Sequence, residues 1–288
     1  MMNADERSFK RIAIIGLGLI GGSLCLALRR ILPNVILVGV DKQQVIERAR
    51  DKLNHAFTPD ELQKSLRGVD LVFLATPINT IIEYLPRVAA GIEQSTLVSD
   101  VGSAKAQIVD AARRVMAGRG YFIGGHPMAG KEHAGWQHAN TSLFENAAYV
   151  LTPGDPVPEK IRKDFIALLR GTGARVVEMS AETHDRLVAE VSHLPQLLAV
   201  ALMNYVGRED AERELRLQLA AGGFRDMTRI AESPFHVWRD ILLTNKNAIK
   251  KSLSEFREHL AMLEALISDE AMDINFRQAN ETRRQLEK

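Results

Sequence analysis

Through its first 180 residues the chain alternates short, unbroken apolar runs with amphipathic stretches. The runs 11–17 (RIAIIGL), 34–41 (NVILVGVD), 70–77 (DLVFLATP), 95–103 (STLVSDVGS) and 121–130 (YFIGGHPMAG) carry β-branched residues and stop at glycine, aspartate or proline. Each therefore reads as a buried strand, the last one running into a glycine-bearing loop. Between them, 23–31, 43–53, 79–92 and 105–116 place apolar side chains at helical spacing. Two later strands, 147–153 and 174–180, flank a helix at 159–173. Strands that are apolar throughout, separated by amphipathic helices, predict an α/β domain: a doubly wound parallel sheet covered on both faces.

After residue 180 the strand signal stops. Residues 181–206 form a long apolar helix in which Pro195 predicts a kink. A Gly-Gly pair interrupts the helical stretch 214–232. A helical run then starts at Ser233, a plausible cap, with Pro234 in its first turn, and a polar helical tail closes the chain. The expected organisation is a nucleotide-binding domain at 1–180 and an all-helical domain at 181–288. Leu253, Phe256, Leu260, Leu263 and Leu266 form an apolar stripe that serves either a dimer interface or a core of its own.

Composition adds little to this picture but excludes some partners. Lys+Arg totals 37 and Asp+Glu 36, a net charge of +1. Such a balance offers no electrostatic footprint for nucleic acid or an anionic membrane. The single cysteine, Cys25, lies in an apolar helical stretch and reads as plain core; no intramolecular disulfide is possible, which suits a cytoplasmic location. Lys10-Arg11 followed by IAIIGLGLIGGSLCLAL resembles a signal segment. It is too short and too glycine-rich for a membrane span, however, and no small-residue cleavage site follows.

The glycines in that segment have a better explanation. Gly16, Gly18 and Gly21 spell GLGLIG directly after a predicted strand and at the start of a predicted helix, the context of a Rossmann-type dinucleotide turn. The first glycine permits the turn, the second lets backbone approach a pyrophosphate, and the third lets helix pack on strand. Leu19 and Ile20 then offer free N–H groups at the helix start. Asp41 ends the second strand, about 20 residues further on, where a carboxylate accepts the ribose hydroxyls and repels a 2′-phosphate. That favours NAD, with Lys42 next door leaving NADP possible. Thr76 and Pro77 close the third strand at the carboxyl edge, where the ligand crevice lies.

Ser103 and His126 also lie just past strand carboxyl ends of this sheet. An imidazole there is suited to take the proton of an alcohol as hydride leaves, and a serine hydroxyl to orient it or bind the same oxygen. At these residues a family becomes visible. GLGLIGGSL, DVGSAK, GGHPMAGKEHAG, VSHLPQLLA and GGFRDMTRIAESPFHVWRDI, in this order, resemble the prephenate dehydrogenase family, which includes arogenate and cyclohexadienyl dehydrogenases; the resemblance covers about residues 10 to 275. It implies NAD-dependent oxidative decarboxylation of prephenate or arogenate on the path to tyrosine. By the same resemblance His126 is the catalytic histidine, Ser103 its partner, and His193 a pocket residue. Arg229 is implied to bind a substrate carboxylate, Asp226 and Trp238 to support the pocket, and Glu132 to gate it. A homodimer through the helical domain is implied as well. Gln196 departs from some relatives, which carry a second histidine there. Two other readings compete: a 3-hydroxy acid dehydrogenase using Lys246 or Lys250 as its acid/base, and a non-catalytic NAD-binding regulator.

Overall fold

The structure, a computed structural model, describes residues 9–130, 134–267 and 270–286. Among these, eight strands form one sheet in the order β3-β2-β1-β4-β5-β6-β7-β8. They are β1 (Arg11–Ile15), β2 (Ile36–Val40), β3 (His55–Phe57), β4 (Leu71–Leu74), β5 (Leu97–Asp100), β6 (Tyr121–Pro127), β7 (Ala148–Pro153) and β8 (Arg175–Glu178). The helices between them are α1 (Leu19–Ile31), α2 (Gln43–Ala49), α3 (Leu62–Ser65), α4 (Ile78–Ala89), α5 (Ala106–Met116) and α6 (Glu159–Gly171).

Alternate residues of the same strands feed two separate cores. Ala13, Ile15, Val72, Leu74 and Val98 face α4 and α5, meeting Ile81, Leu85, Ile108 and Ala112. Ile12, Ile14, Leu71, Phe73 and Leu97 face the other way, toward Leu24, Leu28, Phe165 and Leu169 of α1 and α6. This two-sided burial is why the strands read as continuous apolar runs. Cys25 lies in the second core, where burial pushes its thiol up to about 12.

Two features depart from the predicted sheet. Strand β3 was not anticipated: its three residues are exposed or half-buried and make no apolar run, because it is an edge strand paired only with β2. Strand β7 runs antiparallel to β6, so the sheet is not parallel throughout. A parallel return needs a crossover element. Among the described residues between Pro127 and Ala148 there is only a short 3₁₀ turn, Trp136–His138, which lies over α1.

The last strand ends at Glu178, and helices follow: α7 (Ala181–Val188), α8 (Leu194–Val206), α9 (Arg213–Gln218), α10 (Gly222–Thr228), α11 (Phe235–Thr244), α12 (Lys246–Ala265) and α13 (Ala271–Gln285). One π-helical turn, Ala189–His193, links α7 to α8 just before Pro195. Proline has no N–H to give the carbonyl four residues back, and the widened turn absorbs that defect. By length and composition 181–206 is apolar enough to cross a membrane. It nonetheless carries buried His184, Asp185 and His193, and it packs against α5 and α12 as the spine of the helical region. The helical stretch 214–232 is interrupted as predicted, between α9 and α10, with the Gly-Gly pair opening α10; the single run predicted from Ser233 divides at Asn245, the junction of α11 and α12.

The helical region is tied to the sheet domain by two carboxylates. Neither α4 nor α5 caps its own N-terminus with a side chain. Asp240 of α11 accepts hydrogen bonds from the N–H of Asn79 (3.1 Å) and its side-chain amide (2.8 Å). Asp185 of α7 accepts from the N–H groups of Lys105 (2.6 Å) and Ala106 (2.9 Å). Each carboxylate meets the positive end of a helix dipole as well as its unpaired donors. Replacing Asp240→Ala is expected to lower the unfolding free energy by about 1 kcal/mol, the usual worth of an N-cap. Urea denaturation would register this as a lower midpoint at unchanged slope.

Candidate active site

The carboxyl ends of β1, β4 and β5 open into a cleft of about 450 Å³. Gly18, Leu19 and Ile20 line it from the first turn, Thr76, Pro77 and Ile78 from the end of β4, and Val101, Gly102 and Ser103 from the end of β5. Ala129, Gly130, Ala134 and Gly135 cover one side. From the helical region come Ser233, Pro234, His236, Val237, Asp240 and Ile241. Strand order reverses between β1 and β4, the place where such sheets hold a ligand.

The three glycines do different jobs. Gly16 sits at φ +95°, and a Cβ there would lie 2.4 Å from the Ala75 carbonyl oxygen. A Cβ on Gly21 would lie 1.9 Å from the Gly16 oxygen, so α1 packs against its own turn. A Cβ on Gly18 meets nothing within 4 Å. The fold does not require that glycine; the space it leaves faces the cleft, where a pyrophosphate would sit against backbone. Helix α1 also lacks a side-chain cap, leaving its first N–H groups available to an anion. Asp41 accepts from the Leu17 N–H (2.6 Å) and the Lys42 N–H (2.6 Å), which holds its carboxylate at the edge of the turn. These features fit a dinucleotide.

A second cluster lies in the packing between β6, α5 and the helical region. His126 is 7% exposed and does not line the cleft described above. Its Nδ1 lies 2.8 Å from Nε2 of His184, whose own Nδ1 lies 2.8 Å from Oδ1 of Asp185. His184 is fully buried and Asp185 nearly so. Burial holds the His126 imidazole well below 6.5, with His184, Lys105 and His193 adding to the effect, so the ring is neutral at pH 7.

Beneath it lies a fully buried ion pair. Lys105 Nζ donates to Asp100 Oδ2 and to the Gly125 carbonyl (2.8 Å). Asp100 also accepts from the N–H groups of Gly102 (2.7 Å) and Gly125 (3.1 Å). Burial pulls the Lys105 ammonium below its ordinary range, and Asp100 opposes that pull without cancelling it. The pair joins the ends of β5 and β6 immediately before His126.

His193 belongs to the same cluster. Asn245 Nδ2 donates to the Asp185 carbonyl (2.7 Å) and faces Nδ1 of His193 at 3.3 Å. An amide nitrogen can only donate, so His193 accepts at Nδ1 and carries its proton on Nε2. Among the described residues that Nε2 is buried without a partner. Trp238 packs its ring edge-on against His193, centroids 5.9 Å apart at 88°. Burial, reinforced by His184 and only partly opposed by Asp185, brings the His193 imidazole down to about 4.

The residues singled out by sequence thus divide into groups. Gly18, Leu19, Ile20, Thr76, Pro77 and Ser103 line the cleft; Gly16, Gly21 and Asp41 shape its turn. His126, His193 and Trp238 share the buried cluster. Among the described residues Ser103 makes no hydrogen bond to His126; the histidine's partner is His184. Asp226 and Arg229, on α10 and the turn after it, are exposed in the single chain, and Glu132 lies outside the described residues. Lys246 and Lys250 are solvent-exposed on α12, which leaves the lysine acid/base reading without support. Sequence reasoning missed Asp100, Lys105, His184, Asp185 and Asn245. Only the adjacency of His184 and Asp185 hinted at a polar function in α7.

A dinucleotide turn, a cleft closed by a helical domain and a neutral buried imidazole together define a two-domain nucleotide-dependent dehydrogenase. Residues 24–178 match the family described as prephenate dehydrogenase, nucleotide-binding domain, and residues 180–281 match prephenate dehydrogenase, dimerization domain. The prephenate dehydrogenase of Bacillus subtilis (strain 168) is 38% identical over 270 residues, 92% of this chain and 72% of that protein. The crystal structure of prephenate dehydrogenase from A. aeolicus with hydroxyphenyl propionate and NAD+ aligns at a TM-score of 0.89 and 30% identity, covering 98% of this chain and 99% of that one. Arogenate dehydrogenase from Synechocystis aligns at 0.83 and 32% identity, covering 96% and 99%. The chain belongs to the prephenate dehydrogenase family.

Two expectations follow. Gly21→Ala must push the Gly16 carbonyl aside and will lower thermal stability, whereas Gly18→Ala will melt like the parent protein and lose NAD affinity, measured by fluorescence titration. His193 has a folded pKa below its unfolded value, so the unfolded chain takes up the proton first as pH falls below about 6.5. Stability contributed by the neutral ring is complete above that pH and declines toward pH 4. Between pH 7 and pH 5 the parent is expected to lose about 2 kcal/mol more unfolding free energy than His193→Asn. Urea titrations at both pH values measure the difference.

Proposed function

We propose that this enzyme oxidises prephenate, arogenate or both, with NAD as the hydride acceptor, and that loss of CO2 gives 4-hydroxyphenylpyruvate or tyrosine. The observation that carries the reading is the neutral, buried His126 held at the carboxyl edge of the sheet that also carries the glycine turn. NAD, when bound, supplies the oxidising equivalent. His126 accepts the ring hydroxyl proton, and Ser103, on the cleft wall, holds the same oxygen. The electron pair left on oxygen becomes the carbonyl, and the dienone loses CO2 because the ring becomes aromatic. His193 offers a neutral N–H from its unpartnered Nε2. Arg229, from the helical half, binds a substrate carboxylate through its guanidinium fork, with Asp226 and Trp238 as supporting pocket residues; Glu132, outside the described residues, keeps the gating role that the resemblance implies.

The domain assignment proposed is 1–180 for nucleotide binding and 181–288 for substrate binding and dimerisation. Asp41 favours NAD over NADP because its carboxylate would repel a 2′-phosphate; Lys42 is the feature that would favour NADP. The helical region supports a homodimer. Helix α13 buries no residue, and Leu260, Met262, Leu263, Ile274 and Phe276 are exposed on α12 and α13. A helix with no buried face is not stable by itself in water. A cytoplasmic location accompanies this reading.

Purified enzyme is expected to release CO2 and NADH in equal amounts from prephenate or arogenate, and to turn over NADP more slowly. His126→Asn should bind NAD normally and lose roughly 10²- to 10⁴-fold in kcat. No turnover of either substrate by the unaltered enzyme would overturn the assignment. Light scattering should give twice the 32.0 kDa chain mass.

A further inference from the structure

The hydrogen-bond chain behind His126 has a direction. Asp185 sits at the N-terminus of α5, accepting the N–H groups of Lys105 and Ala106, and an ionised carboxylate has no proton to give. His184 must therefore donate to it from Nδ1, and an imidazole that carries one ring proton then has a lone pair at Nε2. The only way to satisfy the 2.8 Å contact between that lone pair and His126 is for His126 Nδ1 to carry the hydrogen. His126 Nε2 is then the free base. We propose that His184 and Asp185 are positioning residues that fix His126 as the Nδ1–H tautomer and stabilise its imidazolium once the substrate proton arrives.

The charge balance supports the second half of that statement. The groups facing this cluster are Asp100 and Lys105 beneath β6, the Tyr149 phenol on β7, His184 and Asp185 on α7, and His193 ahead of α8. Asp100 is matched by Lys105 at hydrogen-bonding distance. Asp185 has no lysine or arginine side chain bonded to it among the described residues; its carboxylate's partners are two backbone amides and the His184 ring. A positive charge formed on His126 therefore finds its counter-charge two hydrogen bonds away. The step is a plain proton transfer: the substrate O–H bond breaks, a His126 Nε2–H bond forms, and the electron pair stays with the substrate oxygen. This inference rests on the dehydrogenase reading for its chemistry, but the tautomer is a property of the protein alone.

The tautomer is read directly by imidazole nitrogen NMR on the full-length, histidine-labelled enzyme, with His126→Asn and His184→Asn used to assign the signals. The expected result is Nδ1–H on both rings at pH 7. A proton on Nε2 of either ring overturns the proposal, whether or not any substrate is turned over. Kinetics of Asp185→Asn tests the charge: kcat should fall roughly 10²-fold or more with KM little changed. The acidic limb of kcat/KM should move to lower pH, because the imidazolium has lost its counter-charge. Asp185→Glu should recover part of the rate. A reduced rate with an unmoved acidic limb would assign Asp185 to helix capping alone and overturn the catalytic part of the proposal. Failure of the unaltered enzyme with both substrates would remove the dehydrogenase reading and leave the NMR outcome standing.

Discussion

Of the two carboxylates that tie the halves of this enzyme together, Asp185 is the one on which the site depends. Asp185 projects from the first helix after the sheet and caps α5, whose own sequence supplies no cap. The same carboxylate accepts from His184, and through that ring the helical region reaches His126 at the end of β6. Docking and chemistry thus share a single group. Were α7 to shift away from α5, the helix dipole would lose its anion and His126 its hydrogen-bond partner together. Asp240 repeats the capping device at α4, beside the cleft, so that two sheet-domain helices begin only where the helical region completes them.

The polar residues under the site are arranged so that burial selects neutral imidazoles without leaving charge unmatched. Asp100 and Lys105 compensate each other in full burial, and Asp100 also takes two backbone N–H groups that the strand ends would otherwise strand. Removing either partner alone would leave an uncompensated buried charge, a cost of several kcal/mol. The pair therefore acts as a clamp between β5 and β6, and the Lys105 ammonium is one of the nearby groups that disfavour a charge on His126. A base for alcohol oxidation must be unprotonated before substrate binds, and burial, aided by the neighbouring His184, Lys105 and His193, keeps it so.

The helical region is incomplete as a single chain in a way the sheet domain is not. The sheet has a filled core on each face, whereas α12 buries only Ile249 and Ser252, and α13 nothing. The apolar stripe on α12 ends up half-buried at Leu253, Phe256 and Leu266 and exposed at Leu260 and Leu263, so it does not form an independent core. Residues 180–281, which match the family described as prephenate dehydrogenase, dimerization domain, include this surface.

The amino-acid sequence by itself determined the parts governed by local rules. Gly16 and Gly21 are dictated by backbone conformation and contact within one turn, and the strands of the doubly wound sheet by runs buried on both faces. Those signals survive in a linear reading because each depends on neighbours a few residues away. Tertiary structure alone decided the antiparallel return of β7, the edge strand β3, the burial of Lys105, and the meeting of His126 with His184 across 58 positions. A lysine, a histidine and an aspartate look the same in sequence whether they face water or a partner. Only the packing of α7 on α5 removes the water, and removing it turns those side chains into a directed hydrogen-bond chain.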